Sequence, residues 1–374
     1  KVGTLMRYIP KPVMTGFVNG LGIMMFTSQL DHFQGSLLLP LLGLLGIAII
    51  FLFPRITKKI PAPIVAILVI TAIVLGFGLD VKTLGDMGSI STDLPRFGIP
   101  AVPMTVETLR IIFPTALSVA IVGLVESLLT AQLVDEITEE KSDKNQETLS
   151  QGLGNVVSGF FGGIAGCGMI GQTIINLNYG GLGRLATFLS GFFMLLSVVL
   201  LNGSVVQIPV VALAAVMVVV SIETINWDSI KRLRTNPKNE SFAMILTVAI
   251  VIGTHNLAYG VVAGTLVSAV FAAFKMSHLH VATGTADDDH HYKVDGHLYF
   301  ASAEKFLDFF AEEIEQEEEI VIDISAMTLW DSTAVEAIDK LITRNNKRGV
   351  KTTLTGANTQ SSALFKRISI HTEK

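Results

Sequence analysis

The sequence predicts a multi-pass α-helical membrane protein that ends in a small α/β domain, and three observations carry that reading. Half of the 374 residues are hydrophobic and only 16% are charged, with a mean hydropathy of +0.57, which is too apolar for a soluble chain of this length. The apolar residues gather into runs near the ~20 residues that cross a bilayer as helix. After Met276 the composition turns hydrophilic, and from His297 strand and helix patterns of a soluble fold follow. The net charge of −5 arises largely near the C-terminal end and does not describe the membrane part. Nothing in it points to nucleic acid. The single Cys167 excludes an internal disulfide and reads as a small packing residue.

Taken in order, apolar runs cover residues 12–30, 37–53 and 61–79, with Gly16, Gly20 and Gly22 forming a close-packing face on the first. Residues 80–106 form a polar connector containing Pro and Gly. Further spans follow at 109–134, at a short helix 149–161, at the interrupted segment that it leads into, which ends at 178 and is counted as one, and at 185–201, 208–222, 242–254 and 257–274. The last two meet at His255 and Asn256, and the count is ten crossings. Residues 226–239, NWDSIKRLRTNPKN, read as a surface-lying connector.

Cations test the count through their bias toward cytoplasmic loops. One set of alternate loops holds Arg55, Lys58 and Lys59; Lys141 and Lys144; Arg184; Lys231, Arg232, Arg234 and Lys238; and Lys275. The other holds only Lys82, Arg96 and Arg110. The soluble tail and the basic stub with Lys1, Arg7 and Lys11 are therefore expected in the cytoplasm. Because the chain opens with Lys1 and no signal sequence precedes the first run, an N-terminally truncated fragment is expected.

The functional centre is expected in residues 151–184. Glycines at 152, 154, 159, 162, 163, 166, 168 and 171 argue against one continuous helix. Irregular backbone at membrane depth is tolerated only where it is buried in protein or lines a wet cavity. A regular run begins near Met169, so a helix N-terminus is expected near the bilayer midplane. Free N–H groups of Gly168, Met169, Ile170 and Gly171 would face a cavity there and attract anions. The same glycines also suit mere close packing of helices. Upstream, Glu126 lies in the middle of an apolar run with Thr130 one turn further along the same face. An acidic side chain near the bilayer centre costs roughly 2.5 to 3.5 kcal/mol on insertion scales, so it is expected to face a cavity, a proton or a cation.

Residues 277–295 read as a hydrophilic linker. His278, His280, His290, His291 and Asp287 to Asp289 lack metal-ligand spacing, so no metal site is expected. Strands are expected at HLYFAS, EIVIDIS (the latter buried on both faces) and VKTTLTGA. Helices are expected at 303–319, with an apolar face at 306, 309, 310 and 314, at the stretch capped by Asp331 or Ser332, with an apolar face at 335, 338, 341 and 342, and from residue 362.

VIDISAMTLWDSTAVEAI at 321–338 and KRGVKTTLTGA at 347–357 resemble a STAS domain (sulfate transporter and anti-sigma factor antagonist). IPKPVMTGFVNGLGI at 9–23, VESLLTAQ at 125–132, the glycine-rich stretch 151–185 and IPVVALAAVMVVV at 208–220 are similar to the sulfate permease (SulP) family of anion transporters. The resemblance covers nearly the whole chain. It implies an inverted-repeat fold of seven plus seven segments, arranged as core and gate domains, of which segments five to fourteen are present. On that division, residues 1–79 end the first repeat, 80–106 form an extracytoplasmic connector, 107–276 form the second repeat and 296–374 the STAS domain, incomplete at its C-terminus.

The resemblance further implies that Glu126 holds the acidic position used for cation or proton coupling, and that Thr130 matches a hydroxyl that helps ligate sodium in bicarbonate-transporting members. Gly168, Met169 and Ile170 match residues that offer backbone N–H groups to the anion. Ile170 replaces a side-chain hydroxyl of sodium-dependent members, and Gln172 replaces a basic residue of many animal members. The expected activity is secondary active transport of sulfate, bicarbonate or a dicarboxylate across the plasma membrane by alternating access, in symport with a proton or sodium ion and without another cofactor. The resemblance also implies homodimers in which the STAS domains take part. Ser332 matches a phosphorylation switch of bacterial STAS proteins. A nucleobase permease of the same fold and a membrane-tethered STAS regulator are the alternatives. No nucleophile–base pair, metal set or phosphate loop points to an enzyme.

Overall fold

The computed structural model describes residues 3–4, 8–57, 60–88, 94–283, 291–313 and 319–371. Lys1, Arg7, Lys58, Lys59, Asp287 to Asp289 and His290 lie outside these residues. The chain divides into two compact units, Lys1–Leu266 and Val267–Lys374.

The first unit is helical. Its elements are α1 (Lys11–Gln29), α2 (Leu38–Leu52), α3 (Ala62–Gly76), the single turn α4 (Leu84–Met87), α5 (Val106–Thr138), α6 (Lys144–Phe160), α7 (Ile170–Asn178), α8 (Arg184–Leu200), the turn α9 (Asn202–Val205), α10 (Val210–Thr224), α11 (Trp227–Arg232), α12 (Lys238–Thr254) and α13 (Leu257–Met276), the last of which crosses the division. A helix thus stands at each apolar run of the sequence. Among the described residues four helices are long and apolar enough to cross a membrane, Leu38–Arg55, Val106–Thr138, Val210–Arg232 and Leu257–Met276, while α3 and α8 are apolar but shorter. Pro12 and Pro63 sit in the first turns of α1 and α3, where a missing N–H leaves no bond unmade.

α1 packs between α10 and α12, and α10 also carries α2 and α3. Close approach of α1 to α12 depends on glycine: a Cβ on Gly16 would lie 2.8 Å from the Met244 carbonyl oxygen, and one on Gly20 2.8 Å from Val251 Cγ1. A second group forms where α5 packs on α6 and α7. The connector after α3 is not free. Leu84 N–H donates to Ile208 O at 2.9 Å and Val210 N–H to Lys82 O at 2.9 Å, which ties it to the start of α10. Between α10 and α12 stands the short helix α11, in which Trp227 and Ile230 are exposed.

The second unit contains β1 (His280–Thr283), β2 (His291–Leu298), α14 (Ala303–Glu313), β3 (Glu319–Asp323), β4 (Met327–Leu329), α15 (Ser332–Arg348), β5 (Lys351–Thr355) and α16 (Thr359–Ile368). The sheet runs β1-β2-β3-β5 with β4 also on β2, and all pairs are parallel except β1 with β2. Three expectations are corrected here. The stretch 277–295 is not simply a linker, because β1 and most of β2 lie in it; Tyr292 and Val294 are buried while His291, Lys293 and Asp295 are exposed. The strand placed at HLYFAS ends at Leu298, since Tyr299 and Ser302 already form the turn into α14, where Ser302 Oγ accepts from Tyr299 N–H at 3.0 Å. EIVIDIS is buried mainly on one face, through Ile320 and Ile322. Phe306 and Phe310 of α14 and Val335, Ile338, Leu341 and Ile342 of α15 close the core from the helices. Ile314, expected on the α14 face, lies outside the described residues.

Candidate functional site

The C-terminal half of α5 brings three polar side chains into a buried position. Glu126 is 8% exposed, Ser127 3% and Thr130 6%. Helical spacing puts Glu126 and Thr130 on one face, and Thr130 Oγ1 donates back to Glu126 O at 2.9 Å. That face meets the interrupted segment. After α6 ends at Phe160 the chain turns through Gly162 (φ +76) and runs without regular structure to Met169, the N-cap of α7.

The segment is fastened residue by residue. Gly168 N–H donates to Ser127 Oγ at 2.9 Å, and Gly168 O accepts from Thr130 Oγ1 at 2.7 Å. Gly166 N–H donates to Asn155 Oδ1 at 2.8 Å while its carbonyl accepts from Asn155 Nδ2 at 3.1 Å and Gln151 Nε2 at 3.4 Å. Between the two pinned glycines, the Cys167 thiol donates to Glu126 Oε2 at 3.1 Å. Among the described residues no cationic side chain pairs with Glu126.

Two expectations change. Gly168 does not offer a free N–H, since Ser127 takes it; at the start of α7 no acceptor among the described residues meets the N–H groups of Met169, Ile170, Gly171 and Gln172. Met169 gives α7 no side-chain cap, so this first turn keeps the positive end of its dipole unneutralised. A cavity of about 1060 Å³ lies alongside, lined by Gly123, Gln151, Asn155, Gly166, Cys167 and His255 among others. Neither Glu126 nor any of Gly168, Met169, Ile170, Gly171 and Gln172 lines it; Cys167 stands between that space and the carboxylate. Met169 and Ile170 are half-buried, and Gly171 and Gln172 are exposed.

Sequence reasoning missed Ser127, Gln151 and Asn155. Gln151 and Asn155 are four residues apart on one helix face, and Ser127 directly follows the intramembrane acid, so polar residues at helical spacing in apolar runs were the available signal.

A family model described as the sulfate permease family matches residues 36–247. The chain belongs to this family. A second model, the STAS domain, matches residues 281–373. YbaR of Bacillus subtilis, named for sulfate transport, is 45% identical over 372 residues, covering 98% of this chain and 77% of that protein. The bicarbonate transporter BicA of Picosynechococcus is 29% identical over 307 residues, covering 75% of this chain and 53% of its own length. The solved structure of SLC26A9 superposes with a TM-score of 0.80 at 18% identity, covering 98% of this chain and 69% of that one, which shows a shared fold. This sulfate permease family member is therefore a multi-pass membrane protein with a STAS domain.

In the STAS domain, Ser332 occupies the first position of α15 and is exposed. It is not the cap. Asp331 fills that role, its carboxylate accepting from Ala334 N–H at 2.9 Å.

Proposed function

We propose that this protein is a secondary active transporter of small inorganic or carboxylate anions, sulfate, bicarbonate or a dicarboxylate, working by alternating access. The observation that carries the reading is the pairing of four free amides at the start of α7 with a buried carboxylate, Glu126, across one hydrogen-bonded frame. Helix-terminal amides favour an anion. With Gln172 where a cation could stand, the compensating positive charge comes from a coupling ion at Glu126 and Thr130. Glutamate at this position and Ile170 in place of a hydroxyl favour a proton over sodium. The names of YbaR and BicA, one for sulfate and one for bicarbonate, support the anion class.

The accompanying reading places the protein in the plasma membrane, with the STAS domain cytoplasmic and two copies forming a dimer. It gives Ser332 a regulatory phosphorylation, which its exposure permits. Uptake of labelled sulfate, bicarbonate and fumarate by the full-length protein in proteoliposomes, with pH and sodium gradients imposed separately, tests it. Glu126→Gln is expected to abolish gradient-driven uptake while leaving insertion intact. Unchanged accumulation would remove Glu126 from the mechanism, and competition by uracil would favour a nucleobase permease.

A further inference from the structure

Backbone that leaves the helix inside a membrane must find partners for its N–H and C=O groups, because lipid offers none. In the interrupted segment those partners are side chains of two different helices. Asn155 makes a two-point pair with Gly166, accepting from its N–H at 2.8 Å and donating to its carbonyl at 3.1 Å. This is the pairing that another peptide unit would supply. Gln151, one turn earlier on the same face of α6, donates to Gly166 O at 3.4 Å and to Ser127 Oγ at 3.0 Å. Ser127, already on α5, accepts from Gly168 N–H at 2.9 Å. The chain Asn155, Gly166, Gln151, Ser127, Gly168 is therefore one continuous bracket running from α6 across to α5. A single residue, Met169, separates its end from α7.

We infer that Gln151 and Asn155 of α6, with Ser127 of α5, are positioning residues for the anion site. The bracket holds residues 166–168 against α5, so that the α7 amides and the Glu126 carboxylate keep a fixed spacing. This inference rests on the transport reading above and deepens it, because these side chains bond to the segment's backbone and to each other, and act on the anion through the amides that they place. Loss of the bracket loosens the start of α7 and weakens anion affinity. The step that carries the loaded site across the membrane changes little, since α5 still holds Gly168 O through Thr130.

The test uses the full-length protein in lipid nanodiscs and proteoliposomes. Asn155→Ala removes both contacts to Gly166, and Asn155→Asp, of similar shape, keeps the acceptor and loses the donor. Losing a hydrogen bond of ordinary strength corresponds to roughly a five-fold change in an equilibrium constant. Asn155→Ala is therefore expected to raise the KM for labelled sulfate by about five-fold or more with Vmax within about two-fold, and Asn155→Asp to fall between it and the parent. Hydrogen exchange read on peptides spanning 161–172 provides a measure independent of transport, and Asn155→Ala should lose protection there while peptides from α10 keep theirs. Unchanged exchange in this segment overturns the bracket, and lost protection with unchanged KM overturns its role at the anion site. A parent protein that moves no anion, with normal exchange, instead overturns the transport reading on which the inference stands.

Discussion

Asp331 satisfies two backbone amides at once. Oδ1 accepts from Ala334 N–H at 2.9 Å, closing the first turn of α15, and Oδ2 accepts from Phe300 N–H at 2.9 Å in the turn before α14. The carboxylate also lies at the positive end of a helix of 17 residues. Ser332, beside it, has neither role, although a serine before a helix would ordinarily be read as a cap. Asp331→Ala should destabilise the STAS domain by about 1 to 3 kcal/mol, since it removes a cap and leaves a second N–H without its acceptor. Ser332→Ala should fall within about 0.5 kcal/mol of the parent. Chemical denaturation of the soluble domain, whose core is self-contained, separates the two. Equal effects of both substitutions would return the cap to Ser332. At this scale the site was only partly legible. The acid at 126 and the amides after 168 followed from charge and glycine in apolar surroundings. The Ser127 contact that takes the Gly168 amide needs two segments 41 residues apart to meet, and no local pattern encodes that.

Helices were more legible than strands, and the reason is the company each pattern keeps. In the membrane unit nearly every side chain in a run is apolar, so the existence of helices follows from run length, whereas α6 and α12 begin earlier than their apolar runs, at Lys144 and Lys238, because polar residues extend them. β2 does alternate in period two, with Tyr292 and Val294 inward. Its outward His291, Lys293 and Asp295, preceded by a run of acids and histidines, gave the stretch the composition of a linker. The glycine face of α1 shows the opposite case, where a sequence feature has one spatial reading. A Cβ at Gly20 would stand 2.8 Å from Val251 Cγ1, whereas one at Gly253 of α12 meets nothing within 4 Å. Gly20→Val should thus separate α1 from α12 and cost about 1 to 3 kcal/mol, as overpacking does. Gly253→Ala should be neutral or stabilise by about 0.5 to 1 kcal/mol, by helix propensity. Thermal inactivation of the full-length protein in detergent, scored by monodispersity, reads both. A Gly20→Val protein as heat-resistant as its parent would mean that the two helices do not need this contact.

Across the membrane unit, helix packing separates into two groups. α1, α2, α3, α10 and α12 pack on one another, and α5 packs with α6 and α7. The bracketed site, with Glu126, Thr130 and the free α7 amides, belongs wholly to the second group. Where the groups meet, the contact is mostly apolar: Val13 and Phe17 of α1 pack with Val125 of α5 and Val261 of α13, and Ser118 Oγ donates to Asn256 Oδ1 at 3.1 Å. An apolar seam with few directional bonds can slide at little cost, whereas a hydrogen-bonded frame resists shear, so relative motion should fall at the seam and leave the site intact. Alternating access then predicts that tying the seam stops transport without touching the site. Cysteines introduced at Val13 and Val125 of the full-length protein, with the parent and each single-cysteine variant as controls, should form an oxidant-induced cross-link that lowers anion uptake to the background of empty liposomes, with reductant restoring it. Anion-dependent thermal stabilisation, which needs only the frame of α5 to α7, should survive the cross-link. Full uptake through a cross-linked protein would show that the two groups do not move against each other during transport, and the moving boundary would have to be sought elsewhere in the molecule.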